Sequence, residues 1–423
     1  MFIMLKKCWF TGLFFLVCSL IAEPLEVSVK AESAILINPD NGKILFEKNG
    51  FKPMHPASMT KLVTTAWALK LKRDKLNELV EASDESLKTI SVETKKKADY
   101  QTPSWWLEPG ASNIGLRKGE KMPLKDLLLG VMVSSAGDAS NVVAEYCGGS
   151  ISRFVDGMNA WVKAIGCKNS HFKNPHGLFH PEHKTTAYEM ALMMKEALKD
   201  PYFVEILKQT KFTRPKTNLQ KEQAMMVTNR LSRPGPYYYP KLIGGKTGYL
   251  SASQNTFVAA AKDKDRTLIA VFMKTKERTD IWKDTIALFE AAFQQKKIDK
   301  VFMKQGIQEF TLQEKSFDTP LYPFLSEDAT LSYYPAEAPQ VKALVFWDSL
   351  LPPIRKGEKV GQLQIVDETD KTLKAYTLYA ANDVEPTLKY RIESFFFPES
   401  LPTLLFRWGL ILGILLACYL IFK

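Results

Sequence analysis

Apolar and polar positions alternate over residues 33–48 (SAILINPDNGKILFEK), around Pro39-Asp40-Asn41-Gly42, which predicts a β-hairpin. A polar loop follows. From Pro56-Ala57-Ser58 the period lengthens, with Leu62, Val63, Ala66, Trp67 and Leu69 on one side, predicting a helix that runs to about Leu71. Residues 123–210 read as largely helical, and Thr186-Ala187-Tyr188-Glu189 is a capping box ahead of an apolar run. The chain then returns to strands. Residues 256–273 (TFVAAAKDKDRTLIAVFM) predict a second hairpin turning at Asp263–Arg266, and residues 280–294 (DIWKDTIALFEAAFQ) an amphipathic helix that closes this unit. From 297 to 395 short alternating stretches are separated by Pro, Gly and Asp, with no convincing helix, and predict a small all-β domain. Residues 396–403, with two prolines, form a linker.

The two ends follow a different pattern. Residues 1–22 carry two lysines and then an apolar run ending at Ala22, as in a secretory signal peptide cleaved near Ala22–Glu23. An uncleaved N-terminal anchor is the competing reading. Residues 404–422 are apolar all round apart from Arg407, and about 19 residues suffice to span a bilayer if that arginine snorkels outward. Such a helix would tether an exported body to the cytoplasmic membrane and leave Lys423 on the cytoplasmic side.

Length and composition place the rest among globular proteins of two or three folded units: 423 residues, 46% hydrophobic and 24% charged. The net charge of +11 is spread along the chain, and no finger spacing, arginine-rich arm or aromatic platform supports nucleic-acid binding. Outside the terminal segments only Cys147 and Cys167 remain, either paired or separately buried.

The chemistry begins with Ser58-Met59-Thr60-Lys61, an S-x-x-K arrangement at a helix start. Three-residue spacing puts both side chains on one face, where an amine can take the hydroxyl proton if burial and neighbouring cations lower its pKa. The helix N-terminus adds N–H groups that stabilise developing negative charge. Alone, this spacing is also that of an N-cap serine and a surface lysine. Two further blocks change the weight. Lys246-Thr247-Gly248 follows a strand-like segment and suits binding of a carboxylate, and Ser135-Ala136-Gly137-Asp138-Ala139 lies at a turn between two helical stretches. S-x-x-K, an S-x-N-type block and K-T-G together mark penicillin-binding proteins and class A β-lactamases.

HPASMTKLVTT, LLLGVMVSSAGDASNVVAEY, CKNSHFKNPHGL and GGKTGYLSASQNTFVAAA, in this order, resemble the successive blocks of low-molecular-mass penicillin-binding proteins of the D-alanyl-D-alanine carboxypeptidase type. The resemblance implies an α/β (α+β) fold: an antiparallel sheet flanked by helices with a helical lobe over 23–296, then the small β domain over 297–395. It implies that Ser58 attacks the bond between the two terminal D-alanines of a peptidoglycan stem peptide, with Lys61 accepting its proton and Ser135 passing a proton to the leaving amine. Lys246 and Thr247 would hold the terminal carboxylate, assisted by Arg278, while Gly248 lets the peptide approach. The N–H groups of Ser58 and Tyr249 would form the oxyanion hole, and β-lactams would acylate Ser58. No cofactor is implied. Gly137 departs from the family, which usually has Asn at this position, its amide normally contacting substrate and the active-site lysine; the departure bears on substrate grip, with activity expected to survive. A D,D-endopeptidase, a β-lactamase and a non-catalytic scaffold are the alternatives.

Three other features invite a function. His171, His176, His180 and His183 cluster, but their spacing is not H-E-x-x-H and prolines interrupt it, so no metal site is expected. Trp105-Trp106 suit either a substrate groove or the core. Tyr237-Tyr238-Tyr239 suit contact with a stem peptide.

Overall fold

The computed structural model describes residues 16–19, 22–396 and 406–414. The chain divides into two compact units, one formed by Pro24–Gln295 and the other by its two terminal parts.

The first unit is built on an antiparallel sheet of five strands: β1 (Ser33–Ile37), β2 (Ile44–Lys48), β3 (Leu242–Leu250), β4 (Gln254–Asp263) and β5 (Arg266–Thr275). Their spatial order is β2-β1-β5-β4-β3, so both expected hairpins form and β5 pairs with β1 to join them. Leu268 to Met273 on β5 are all fully buried, as a strand covered on both faces requires. The two parities divide the labour. Ile269, Val271 and Met273 join a core shared with the helical lobe, whereas Phe257 meets Trp282 on the opposite side at a ring separation of 5.2 Å.

The longer helices are α1 (Thr60–Lys72), α2 (Leu124–Val133), α3 (Gly137–Gly148), α4 (Ile151–Ala164), α5 (Ala187–Ala197) and α6 (Arg278–Phe293), with shorter ones at Asp84–Leu87, Val92–Lys97 and Pro201–Leu207. The α1 helix starts later than expected, because Ala57–Met59 form a 3-10 turn first. The capping box at Thr186 is only half made. Thr186 Oγ1 accepts the Glu189 N–H at 3.0 Å, but the Glu189 carboxylate takes the N–H groups of Lys168 and Asn169 at 2.7 and 2.8 Å instead of returning to Thr186. Residues 165–186 between α4 and α5 are irregular, and this loop carries the four clustered histidines. Cys147 and Cys167 are both buried and unpaired.

In the second unit Gln340–Trp347, Lys359–Asp367 and Thr372–Ala380 form the centre of an antiparallel sheet, and Ile298–Met303 pairs with Ala329–Tyr333. Val345, Leu363, Ile365 and Leu378 belong to its separate core. Leu388–Phe396 is helical, where the sequence pattern led us to expect no helix. The expected signal peptide lies outside the described residues apart from Ala22 and Leu16–Ser19; the latter pair as an edge strand with Gln340–Ala343. Of the expected membrane helix at 404–422, only 406–414 are described, and they are helical. Among the described residues no helix is long and apolar enough to cross a membrane.

Candidate active site

Three elements meet around a cavity of about 430 Å³: the turn before α1, the turn between α2 and α3, and strand β3. Ser58 sits on the first of these, following Ala57, which adopts φ of 50°. The chain is forced into this left-handed conformation by what packs around it. Gly177 fits beneath the turn only because it lacks a side chain, since a Cβ there would collide with the Ala57 carbonyl. On the other side β3 passes so near that a Cβ on Gly248 would come within 2.8 Å of the Ser58 backbone nitrogen and 2.5 Å of Thr256 Oγ1. Gly248 therefore allows a strand edge and a helix start to share one rim.

Lys61 is buried, and its Nζ lies 3.0 Å from Ser58 Oγ while donating to the His176 carbonyl at 2.5 Å. Burial holds this amine well below the ordinary lysine range; the Lys246 cation adds to the effect and Asp138 opposes it. An amine whose proton is held this weakly, at hydrogen-bond distance from a serine hydroxyl, is suited to act as a general base.

Lys246 is also buried, projecting from β3 so that its Nζ donates to Ser135 Oγ at 2.9 Å and to the Thr247 carbonyl at 3.0 Å. Its pKa is pushed down to about 7, first by burial and then by Arg278. Ser135 has φ of 58°, a second left-handed residue without a glycine, held where α2 ends and α3 begins. Thr247 and Thr228 share a short hydroxyl–hydroxyl hydrogen bond of 2.5 Å, and Arg278 Nη2 donates to the Thr228 carbonyl at 3.3 Å. Arg278 and the exposed Tyr249 line the cavity together with Ser58, Lys61, Ser135, Gly137, Thr247 and Gly248, and Lys246 stands immediately behind Ser135.

Asp138 has a different task. Its carboxylate accepts the N–H groups of Ile114, Leu116 and Ala139 at 3.1, 2.9 and 2.8 Å. Gly137 donates its own N–H to the Ser112 carbonyl at 2.7 Å. Together they fasten the 107–116 segment as a strap along the cavity wall.

Residues 20–277 match the peptidase S11 family, D-alanyl-D-alanine carboxypeptidase. The chain belongs to this family. A D-alanyl-D-alanine carboxypeptidase of Bacillus subtilis, DacF, is 31% identical over 353 residues, 80% of this chain and 82% of the relative. Among solved structures, the D-alanyl-D-alanine carboxypeptidase DacD of Francisella tularensis has a TM-score of 0.59 at 21% identity, covering 88% of this chain and 97% of its own. Penicillin-binding protein 5 of Haemophilus influenzae has a TM-score of 0.57 at 24% identity, covering 85% and 98%. At these identities the structural likeness shows the fold: a mixed α/β penicillin-binding-protein fold.

For this carboxypeptidase family member, some expected contacts are elsewhere. Tyr239 is buried and donates its hydroxyl to Glu290 at 2.6 Å; neither it nor Tyr237 or Tyr238 lines the cavity. Trp105 and Trp106 both direct Nε1 to Glu85, at 2.9 and 3.3 Å, and are half-buried outside this cavity. His176 Nε2 bonds to the Trp105 carbonyl at 3.0 Å and His183 Nε2 to Thr60 Oγ1 at 2.9 Å. Burial pushes the pKa of His183 down to about 3 and that of His176 well below the usual range. These rings are neutral struts under the Ser58 turn. Among the described residues no group of three His, Cys, Asp or Glu side chains gathers as a metal would need.

Two participants escaped sequence reasoning. Thr228 carries no motif, since only folding brings it against Thr247. His176 attracts notice as a ring, yet its backbone carbonyl holds Lys61, and no side-chain pattern reports a carbonyl.

Proposed function

We propose that this protein removes the terminal D-alanine from peptidoglycan stem pentapeptides through an acyl-enzyme on Ser58. The observation that carries the reading is the buried Lys61 amine 3.0 Å from the Ser58 hydroxyl. Lys61 accepts the hydroxyl proton as Ser58 Oγ bonds to the carbonyl carbon between the D-alanines. The N–H groups of Ser58 and Tyr249 receive the oxyanion. As the carbon–nitrogen bond breaks, Ser135, linked to Lys246, relays a proton to the departing amine, and free D-alanine leaves. Water then attacks the ester and returns the proton to Ser58. Lys246, Thr247 and Arg278 take the substrate's terminal carboxylate, a cationic site that β-lactams also exploit through their own carboxylate.

The wider setting is part of the same proposal. The signal-like residues 1–22 would export the chain, and the apolar run at 404–422 would anchor it in the cytoplasmic membrane with the active site outside. Along the chain the catalytic domain, residues 23–296, would be followed by the β domain, residues 297–395, and the linker at 396–403. The support for this arrangement is the sequence pattern of the two ends.

The test is release of D-alanine from a pentapeptide, together with intact mass after penicillin exposure. Wild type should gain one penicillin mass and Ser58→Ala none. A wild type that neither releases D-alanine nor gains mass would refute the mechanism.

A further inference from the structure

The cavity has opposite charges on different walls. Lys61 and Arg278 line it, with Lys246 directly behind Ser135 and Thr247, whereas Glu108 is the one acidic residue among its described lining. Glu108 lies on the strap just before Pro109-Gly110, in a turn closed by the Ala111 N–H on the Glu108 carbonyl at 3.0 Å. Its side chain is fixed from behind. Lys95, whose side chain is 3% exposed, places Nζ 3.1 Å from Glu108 Oε1 and 2.9 Å from the Trp106 carbonyl. The Glu108 side chain itself stays 16% exposed, so it is anchored without being sealed off. The strap that carries it is pinned at Gly137 and Asp138, and so cannot drift from the reacting centre.

A ligand matching this lining carries a carboxylate at one end and a cation elsewhere along its length. Resting on the carboxypeptidase reading above, we propose that Glu108 is a specificity residue that receives the side-chain ammonium of the stem-peptide residue preceding the two D-alanines. Charge complementarity of this kind selects among substrates more than it adds raw affinity. It also gives a role to the strap at the place where Gly137 lacks a side-chain amide: the substrate is steadied by a charge contact on its side chain instead of an amide contact on its backbone.

Two acyl-tripeptides ending in D-Ala-D-Ala test this, one with a free lysine side chain and one with that amine acetylated. Because Glu108→Gln alone would leave Lys95 buried without its partner and could unfold the site, the variant is Glu108→Gln with Lys95→Met, checked by thermal unfolding. Wild type is expected to show kcat/KM about tenfold higher for the free amine, the scale of a hydrogen bond to a charged group. In the double variant that ratio should fall to about one. Equal rates in wild type, or an undiminished ratio in the folded variant, would overturn the role of Glu108 and leave the carboxypeptidase reading standing. Release of D-alanine from neither tripeptide would overturn the carboxypeptidase reading itself.

Discussion

Replacing Gly137 with Asn would supply the residue that the family resemblance implies for this block, yet the surroundings make this a costly change. A Cβ at 137 would lie 3.1 Å from Leu107 Cδ2, 3.4 Å from the Ser112 carbonyl oxygen and 3.8 Å from His176 Cβ. Carbon pairs rest at about 3.5–4.0 Å, so Leu107 must retreat by roughly half an ångström before the amide is even placed. Leu107 is almost wholly buried and begins the strap, which limits its retreat. Overpacking of this sort costs about 1–3 kcal/mol. Loss of glycine's freedom in the unfolded chain returns at most about 1 kcal/mol, because φ at 137 is not in the left-handed region. The net expectation is a loss of about 1–2 kcal/mol, or a Tm roughly 2–8 °C lower for a unit of this size, measured by calorimetry. D-alanine release should fall with it, since the displaced strap lines the cavity. Leu107→Ala should then cost less in the Gly137→Asn background than in wild type, by at least about 0.5 kcal/mol, if the two side chains compete for one space. An unchanged or raised Tm with faster D-alanine release would show that the space is open and that Gly137 is a plain deficit.

Two further outcomes follow from the buried charges. The proposed mechanism needs Lys61 neutral and Lys246 protonated, so kcat/KM should fall on the acid side as Lys61 gains its proton and on the alkaline side as Lys246 loses its own near pH 7. The alkaline fall should therefore begin near neutrality, and a profile still flat at pH 9 would sink the assignment of Lys246 as a cationic carboxylate site. Asp138→Asn replaces an acceptor of three backbone N–H groups with an amide that must turn one donor towards them; about 2–3 kcal/mol of stability should be lost in denaturant titration, with a raised KM as the strap loosens. A stable variant with unchanged KM would refute that fastening role.

What the sequence disclosed depended on how local the determinant was. The two hairpins were legible because their alternation is encoded within about ten residues each, as was the closing helix at Arg278–Phe293. Ser58, Lys61, Ser135 and Lys246 were legible as short blocks whose chemistry is visible in residue types. The partners of those blocks were not. Thr228 reaches Thr247 only through the packing of a loop on β3, and Glu108 joins the cavity only because Asp138 ties down the strap. Tyr237-Tyr238-Tyr239 misled for the same reason: proximity in sequence to Lys246 says nothing about which side of a strand edge a loop will take.

Bringing two lysines into a dry site would ordinarily be resisted by desolvation and by their mutual repulsion. Neither lysine forms an ion pair with a carboxylate among the described contacts; each is held instead by neutral oxygens, Lys61 by Ser58 and the His176 carbonyl, Lys246 by Ser135 and the Thr247 carbonyl. A carboxylate partner would have stabilised the protonated form and removed the base. Neutral acceptors satisfy the N–H groups while leaving the proton loosely held, which is what a shuttle from Ser58 towards a leaving amine requires. The nearest acidic side chain, Asp138, is turned away to three backbone N–H groups. The strap thus takes up the Asp138 carboxylate that would otherwise favour the protonated form of Lys61, so the base strength of Lys61 is set in part by the strap.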